Sequence, residues 1–265
     1  MYLKHFGLNR FPFEKDIAAE EMFQSQSMAE LSVRLSHLIE LRGIGLVTGD
    51  SGSGKSSACR KMASELHSGL YKTLYVPLAT ANPMDLYKTI AWELGLPTER
   101  SRAALYRQIR SEVTRLCVES KTRCVLIVDE AHALRSEVLE ELRLLTNYAM
   151  DSENRLCLVL CGQSELRRRV SMAVHEPLNQ RIVVRYHLQA LSQKELPLYL
   201  AHLLRRAGTE LPLIEPAAIE ALFQASSGLP RKVNQYAHDA FIAAAIDKAK
   251  VITAEHVQTA LREAA

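Results

Sequence analysis

Apolar residues along this chain follow two alternating patterns, and the alternation predicts the order of its structural elements. Five short apolar runs predict strands at 44–48, 73–78, 124–128, 156–161 and 182–188. Apolar residues at helical spacing predict helices at 27–42, 55–68, 84–95, 103–119 and 134–149. Strands that alternate with helices favour a parallel sheet covered by helices, so the predicted fold class is α/β.

The two ends of the chain depart from this alternation. Residues 1–24 carry several aromatic residues, among them Phe6 and Phe13, and one proline, Pro12, which favours an ordered irregular arm over a helix. After Leu188 only helical patterns remain, at 192–207, 215–226, 231–247 and 254–263. We therefore predict an α/β domain at 1–190, which includes the arm, and a small helical domain at 191–265.

Composition narrows the class of protein and its expected location. The chain has 265 residues, 48% of them hydrophobic, which is enough for a substantial core, and its net charge of +3 is only mildly basic. Three of the five cysteines lie in strand-like runs (Cys124, Cys157 and Cys161) and there is no CxxC pair, which favours reduced thiols. The first residues lack a signal-peptide pattern and no apolar run reaches 18 residues. We expect a cytoplasmic protein without a membrane partner.

The segment between the first strand and the next helix has the pattern of a phosphate-binding loop. Its glycines allow backbone conformations that point successive N–H groups at phosphate oxygens, and the positive end of the following helix faces the same place. Lys55 is expected to reach the β- and γ-phosphates, and Ser56 to offer its hydroxyl to Mg²⁺. The predicted ATP-binding residues of this segment are Gly49, Asp50, Ser51, Gly52, Ser53, Gly54, Lys55, Ser56 and Ser57.

A second segment carries two acids where a buried strand ends. The run 124–128 is apolar and largely β-branched, as in a central parallel strand, and Asp129 and Glu130 follow it directly. Asp129 is then placed to hold Mg²⁺, and Glu130 to orient and deprotonate an attacking water. A buried strand that ends in two solvated acids would give the same local pattern. The phosphate loop in the same chain favours the catalytic interpretation.

Four further polar residues are candidates for the same site. Gln163 follows the predicted strand 156–161 at the height expected for the γ-phosphate and is better placed to sense it than the neighbouring Ser164; an ordinary polar residue between a strand and a loop is the alternative. Arg181 directly precedes the last strand, and Arg231 lies at the start of a helix in the C-terminal domain. Arginine suits phosphate contacts because its charge is permanent and its guanidinium can bind bidentately. Each arginine taken alone is more typical of an ordinary surface charge than of a phosphate contact.

In this order the motifs resemble those of the AAA+ ATPases over nearly the whole chain. The resemblance implies a P-loop parallel-sheet core with a C-terminal helical lid, and Mg²⁺-dependent ATP hydrolysis. It also implies a role for each motif, namely Walker A at 49–56, Walker B at Asp129 and Glu130, sensor 1 at Gln163 or Ser164, an arginine finger at Arg181 and sensor 2 at Arg231. Adenine usually lies between the arm and the lid in such enzymes, where Phe13 could contact it; core packing is the alternative role for Phe13.

More narrowly, the chain resembles the ExeA-related group, which includes a secretion ATPase and transposon-encoded target-site regulators of the TniB, TnsC and MuB kind. The resemblance rests on four segments, at 2–13, 128–132, 161–166 and 228–231. Secretion members usually add a membrane span and a cell-wall-binding domain, so a core of this length looks like the transposition branch. That branch implies a homo-oligomer that binds duplex DNA without sequence preference and recruits or activates a transposase.

Two other functions stay open at this point. One is a secretion-type or other AAA+ motor that acts on a protein partner only. The other is an ATP-gated scaffold without catalysis, although the presence of Glu130 argues against it. DNA contacts could come from basic residues between the second and third strands and after the fourth, although a helix would spread many of them around its circumference. These residues are Arg102, Arg107, Arg110, Arg115, Lys121, Arg123, Arg167, Arg168 and Arg169.

His132 completes an Asp-Glu-Ala-His sequence, which is also found in DEAH helicases. A helicase of that type needs a second motor domain, for which this chain has no room. His132 is therefore interpreted as a helix-start residue or as a relay toward a bound partner.

Overall fold

A computed structural model of the protein describes residues 2–77 and 82–263. Five parallel strands form one sheet in the order β2-β3-β4-β1-β5. Their bounds are β1 Ile44–Thr48, β2 Tyr71–Val76, β3 Arg123–Val128, β4 Leu156–Gly162 and β5 Ile182–His187. All five predicted strands are present and the predicted α/β class is confirmed. The predicted second strand ended at residue 78, which lies outside the described residues.

Twelve α-helices occur in the described part of the chain. Those up to the end of the sheet are α1 Tyr2–Phe6, α2 Gln26–Leu41, α3 Lys55–Glu65, α4 Pro83–Leu94, α5 Arg102–Val118, α6 Ser136–Leu145, α7 Ser164–Val170 and α8 Glu176–Arg181. The C-terminal ones are α9 Glu195–Arg206, α10 Pro216–Ser226, α11 Pro230–Ile246 and α12 Ala254–Glu263. Short 3₁₀ turns lie at Ala19–Glu21, Ala131–Ala133, Ala149–Asp151 and Ala173–His175.

The helix bounds follow from local capping chemistry. The Asn82 side chain accepts a hydrogen bond from the Asp85 N–H at the start of α4, and Gly95 ends the helix with φ +77. Proline occupies the first turn of α10 and α11, where its missing N–H leaves no intrahelical bond unmade. The prediction was wrong about the start of the chain, since residues 2–6 are helical. It also missed α7 and α8, which are too short to show a clear period.

The sheet has a largely apolar core on both faces. Every residue of β4 is buried, and so is every residue of β1, because these strands lie inside the sheet and helices cover them. The cysteines in strands, Cys124, Cys157 and Cys161, are among the buried residues, where the sequence placed them.

The described residues divide into two compact units. One contains Glu30–Ser51 and Lys55–Leu188 and holds the sheet; the other contains Met1–Ala29, Gly52–Gly54 and Gln189–Ala265 and is mainly helical. This grouping differs from the predicted division at residues 190 and 191, which left the N-terminal arm with the sheet. The domain boundary itself stays a prediction.

Aromatic packing explains why the arm groups with the C-terminal helices. Phe241 of α11 is fully buried, and the rings of Tyr2, Phe6 and Phe13 lie around it with centroids 5.5, 5.0 and 5.4 Å away. Large aromatic side chains contribute much of the apolar area in a small core, and tilted or edge-on pairs add to it. The arm therefore supplies part of the core of the helical unit.

Gly228 closes a turn in the helical unit and leads to the first stability prediction. Its φ is +73, and a Cβ there would lie 2.0 Å from the Leu191 carbonyl oxygen, whereas Gly7 has φ +66 and open space around it. Gly7→Ala should lower the free energy of unfolding by about 1–2 kcal/mol, since only the left-handed backbone opposes the substitution. Gly228→Ala should lower it more, because the new Cβ also overlaps backbone atoms. Equal losses for Gly7→Ala and Gly228→Ala in denaturant unfolding would contradict the close approach.

Candidate nucleotide-binding site

The phosphate loop joins β1 to α3, and positive φ was expected at its three glycines. The expectation was wrong for Gly49, which does not have a positive φ. Gly52 and Gly54 have φ +84 and +104, which other residues rarely adopt. The loop lies at the carboxyl edge of the parallel sheet, and α3 begins directly at Lys55. Backbone N–H groups of the loop and of the first helical turn are thus available to an anion at this edge.

Two polar side chains of the loop fit a phosphate ligand. Lys55 is 6% exposed, and its ammonium donates to the carbonyl oxygens of Gly49 at 3.0 Å and Asp50 at 2.9 Å. The Ser53 hydroxyl is also buried, and it makes no hydrogen bond within the described residues. A buried hydroxyl without a partner costs about 1–3 kcal/mol. A phosphate oxygen would satisfy both groups, so the residues present fit a nucleoside triphosphate.

The two residues predicted to hold Mg²⁺ lie in contact. The Ser56 hydroxyl donates to Asp129 Oδ2 at 2.6 Å, and Asp129 is 4% exposed at the end of β3. Its other oxygen, Oδ1, accepts the Glu130 N–H at 2.9 Å. A hydroxyl and a carboxylate are oxygen ligands of the kind that Mg²⁺ takes, alone or through its water shell. Ser56 and Asp129 would hold the ion here.

Tyr75 contacts the same carboxylate and was missed in the sequence. Its hydroxyl donates to Asp129 Oδ2 at 3.0 Å from β2, the strand next to β3. Burial first, and then the neighbouring Asp129, raises the pKa of Tyr75, so its hydroxyl stays protonated and remains a donor. The sequence contained one signal that could have indicated Tyr75, namely a side-chain hydroxyl near the carboxyl end of a predicted strand. Which strand adjoins β3 cannot be inferred from the sequence alone.

Glu130 occupies a special backbone position. Its φ is +51, a left-handed conformation that is uncommon outside glycine, and its side chain is 51% exposed. Its carboxylate Oε2 lies 3.3 Å from Nδ1 of His132. The turn Ala131–Ala133 therefore brings His132 back against Glu130, a contact that the sequence did not predict.

The turn after Glu130 packs against the end of β4 and is hydrogen-bonded to α7. Arg169 donates to the carbonyl oxygens of His132 and Leu134, the latter at 2.6 Å. A Cβ at Gly162 would lie 3.0 Å from the His132 N, so only a glycine fits this approach without displacement. Arg169, grouped with basic residues in the sequence, thus has an internal structural role.

The two candidates for sensor 1 have different surroundings. The Ser164 hydroxyl donates to Asp50 Oδ1 of the phosphate loop at 3.3 Å. The Gln163 N–H donates to His132 Nδ1 at 3.4 Å, and the residue is exposed at the start of α7. The choice between Gln163 and Ser164 as sensor stays a prediction.

Arg181 lies at the opposite edge of the sheet from the phosphate loop. It ends α8 immediately before β5, and the next residue, Ile182, pairs with Ile44 at the amino end of β1. Its guanidinium donates to the Asp151 carboxylate and to the Arg143 carbonyl oxygen, the latter at 3.2 Å. The length of β1, roughly 3.3 Å per residue, separates it from the loop of its own chain.

Arg231 is beside the phosphate loop, within the helical unit. Its N–H donates to the Gly52 carbonyl oxygen at 3.3 Å, and a Cβ at Gly52 would lie 2.6 Å from the Arg231 Cβ. Phe13 is 8% exposed and packs edge-on against Phe241, which is the core role left open in the sequence. Contact of Phe13 with adenine and of Arg231 with phosphate both stay predictions.

Most of the predicted basic cluster on and near α5 is engaged within the chain. Arg102 pairs with Glu141, Arg115 binds Glu112 at 2.7 Å, and Arg110 donates to the carbonyl oxygens of Leu144 and Asn147. Arg102 and Arg115 are exposed although they are paired, and Arg123 is half-buried. The other exposed cations of the set are Arg107, Lys121, Arg167 and Arg168, the last of them 3.9 Å from Glu165.

Comparison with known proteins agrees with the fold. Residues 39–170 match the family model described as AAA domain. Over 95% of its length the chain superposes on Cdc6p from Pyrobaculum aerophilum with a TM-score of 0.73 and 15% identity, covering 70% of that chain, which shows the fold alone. The protein is a P-loop NTPase with the AAA+ fold.

Sequence relatives define its group within that class. The chain is 33% identical over 247 residues, 92% of its length, to general secretion pathway protein A of Aeromonas hydrophila, and covers 45% of that protein. It is 32% identical over 132 residues, 49% of its length, to the ATP-dependent target DNA activator B of Escherichia phage Mu, covering 38% of it. The chain thus spans less than half of each relative. It belongs to the AAA+ proteins of the ExeA-related group, as its motifs indicated.

Two substitutions should separate binding from turnover at this site. Lys55→Ala should weaken ATP binding, because the buried ammonium beside the loop is lost. Glu130→Gln should leave ATP affinity unchanged and lower turnover about 10²-fold or more, because an amide cannot accept the proton of water. ATP affinity and hydrolysis are to be measured on both variants, with Glu40→Gln, an exposed acid on α2, as the matched control. Turnover by Glu130→Gln at the unsubstituted rate would refute the role of Glu130.

Proposed function

We propose that this protein is a Mg²⁺-dependent ATPase that oligomerises on duplex DNA when ATP is bound and recruits or activates a transposase. The observation that supports hydrolysis best is the contact between Ser56 and Asp129 at the phosphate loop, with Glu130 following directly. These three residues supply a metal site and a base at one edge of the sheet. The finer parts of the proposal, DNA and transposase, depend on relatives and on charge.

Each residue of the site has its own role in the proposed reaction. Lys55 and the backbone N–H groups of the loop bind the β- and γ-phosphates and offset their negative charge. Ser56 and Asp129 would hold Mg²⁺, whose charge would offset the negative charge that develops on the phosphate oxygens. Glu130 accepts a proton from water as the water oxygen bonds to the γ-phosphorus and the bond to ADP breaks.

Support for a DNA partner comes from two sources. The phage Mu relative is named as an ATP-dependent activator of target DNA, and it aligns with half of this chain. The exposed cations Arg107, Lys121, Arg167 and Arg168 provide charge for phosphate contacts. A net charge of +3 predicts weak binding by one protomer, and an oligomer along one duplex would add many such contacts.

A motor that acts only on a protein partner is the second candidate. It is favoured by the secretion-pathway relative, which aligns with 92% of this chain against 49% for the phage activator. Among the described residues no helix combines the length and apolar character needed to cross a bilayer. A non-catalytic ATP-gated scaffold is less well supported, because Glu130 is present and its backbone N–H donates to Asp129.

ATP-dependent sedimentation with and without duplex DNA tests the proposal directly. A larger species that requires both ATP and DNA is expected. Oligomers that form with ATP but show no change on addition of DNA would favour the motor for a protein partner. Addition of candidate transposases in the same experiment tests recruitment.

Arg181 should act on the nucleotide of a neighbouring subunit. If so, ATPase activity per protomer rises with protein concentration, and Arg181→Ala lowers it roughly 10³-fold or more. Mixing Arg181→Ala with Lys55→Ala protein should restore part of the activity, because some interfaces then combine an intact loop with an intact arginine. Absence of recovery at every ratio, with mixed oligomers shown to form, would place Arg181 outside trans catalysis.

DNA binding in the presence of ATP should fall steeply and log-linearly between about 50 and 200 mM salt, because each phosphate contact releases counterions. Arg167→Glu should weaken this binding and reduce the slope, whereas Lys15→Glu, with the same change in net charge on the N-terminal arm, should not. Both residues are exposed. Binding is to be measured with ATP, with ADP and without nucleotide. Absence of binding in all three states by protein that oligomerises would reject the DNA partner.

A further inference from the structure

His132 is held in a defined position beside Glu130. Its side chain is 16% exposed, and Arg169 donates to its backbone carbonyl oxygen. The close approach of Gly162 to the His132 N limits movement of the turn from the other side. The imidazole therefore sits on a fixed turn, whereas the Glu130 side chain is 51% exposed and has more freedom.

One ring nitrogen of His132 faces two groups of opposite kind. Nδ1 lies 3.3 Å from the carboxylate Oε2 of Glu130, which can only accept a hydrogen bond when ionised. The same Nδ1 lies 3.4 Å from the Gln163 N–H, which can only donate. A nitrogen with a proton can bind Glu130 and a nitrogen with a lone pair can bind Gln163. The two bonds exclude each other.

We propose that His132 is a positioning residue for Glu130, and that the backbone N–H of Gln163 competes for it. With the proton on Nδ1, His132 donates to the Glu130 carboxylate and orients it toward the attacking water. A general base commonly needs a third group that fixes its orientation. This inference rests on the proposed ATP hydrolysis, because it assigns a role to a partner of the proposed base.

The contacts around Gln163 link this competition to the phosphate loop. Ser164, the next residue, donates through its hydroxyl to Asp50 Oδ1 at 3.3 Å. A shift of Asp50 that accompanies phosphate binding would be transmitted to the Gln163 N–H one residue away. When that N–H withdraws, the neutral imidazole gives up its Nε2 proton to solvent and takes one from solvent at Nδ1, and Nδ1 then donates it to the Glu130 carboxylate.

Replacement of the imidazole tests the inference. His132→Phe keeps a ring but removes Nδ1, whereas His132→Asn keeps a polar group close to the Nδ1 position that can donate or accept. We expect His132→Phe to lower kcat roughly 10- to 100-fold with KM and ATP affinity unchanged, the range for loss of an orienting partner. His132→Asn should recover most of kcat. His37→Phe, at an exposed histidine of α2, is the matched control and should behave as the unsubstituted protein.

A double-substitution cycle separates positioning from a general structural effect. In a Glu130→Gln background, His132→Phe should not lower single-turnover hydrolysis further, because both changes act through the same carboxylate. A full additional loss of activity in that background would overturn the inference. A kcat of His132→Phe equal to that of the unsubstituted protein would also overturn it, and so would a His132→Asn protein no more active than His132→Phe. Unchanged thermal midpoints show that the variants fold. Absence of ATP turnover in the unsubstituted protein, with and without DNA, would instead reject the proposed function.

Discussion

Asp129 carries a carboxylate into a place where bulk water cannot solvate it, since the residue is 4% exposed at the carboxyl edge of the sheet. A buried charge is tolerated only when hydrogen bonds replace its hydration. Here the Ser56 and Tyr75 hydroxyls bind one oxygen and the Glu130 N–H binds the other. These hydrogen bonds to Asp129 hold together the start of α3, the edge strand β2 and the residue after β3. The phosphate loop is fixed by the same contacts, because Ser56 directly follows Lys55 at its end.

The second fixed point is the turn that follows Glu130. The Arg169 guanidinium binds two of its carbonyl oxygens, and the absence of a side chain at Gly162 lets the turn approach the end of β4. Glu130, the residue that contacts it and the candidate sensor segment are thereby parts of one packed cluster. Rigid elements hold functional groups with the precision that chemistry needs, so this cluster is the physical basis of the proposed coupling between phosphate binding and the position of Glu130.

The sequence predicted the strands well because inner parallel strands are continuously apolar, and β1, β3 and β4 show this directly. It missed α7 because seven residues give less than two helical turns and three consecutive arginines obscure the period. Asp129, Glu130 and the phosphate loop could be proposed as site residues because the residues of each motif are contiguous in the sequence. Tyr75 and the pairing of His132 with Glu130 depend on tertiary neighbours, which local patterns do not contain.

The contacts of the arginines near α5 could not be predicted either, because they too depend on tertiary neighbours. A count of charges does not show that Arg102 and Arg115 form ion pairs with acids at the surface, or that Arg110 donates to carbonyl oxygens. Arg181 is a different case, because chain direction alone constrains it. Strands β1 and β5 are parallel, the phosphate loop follows β1, and Arg181 precedes β5. Two residues at opposite ends of neighbouring parallel strands cannot meet within one sheet. A role for Arg181 in phosphate chemistry therefore requires a second copy of the chain.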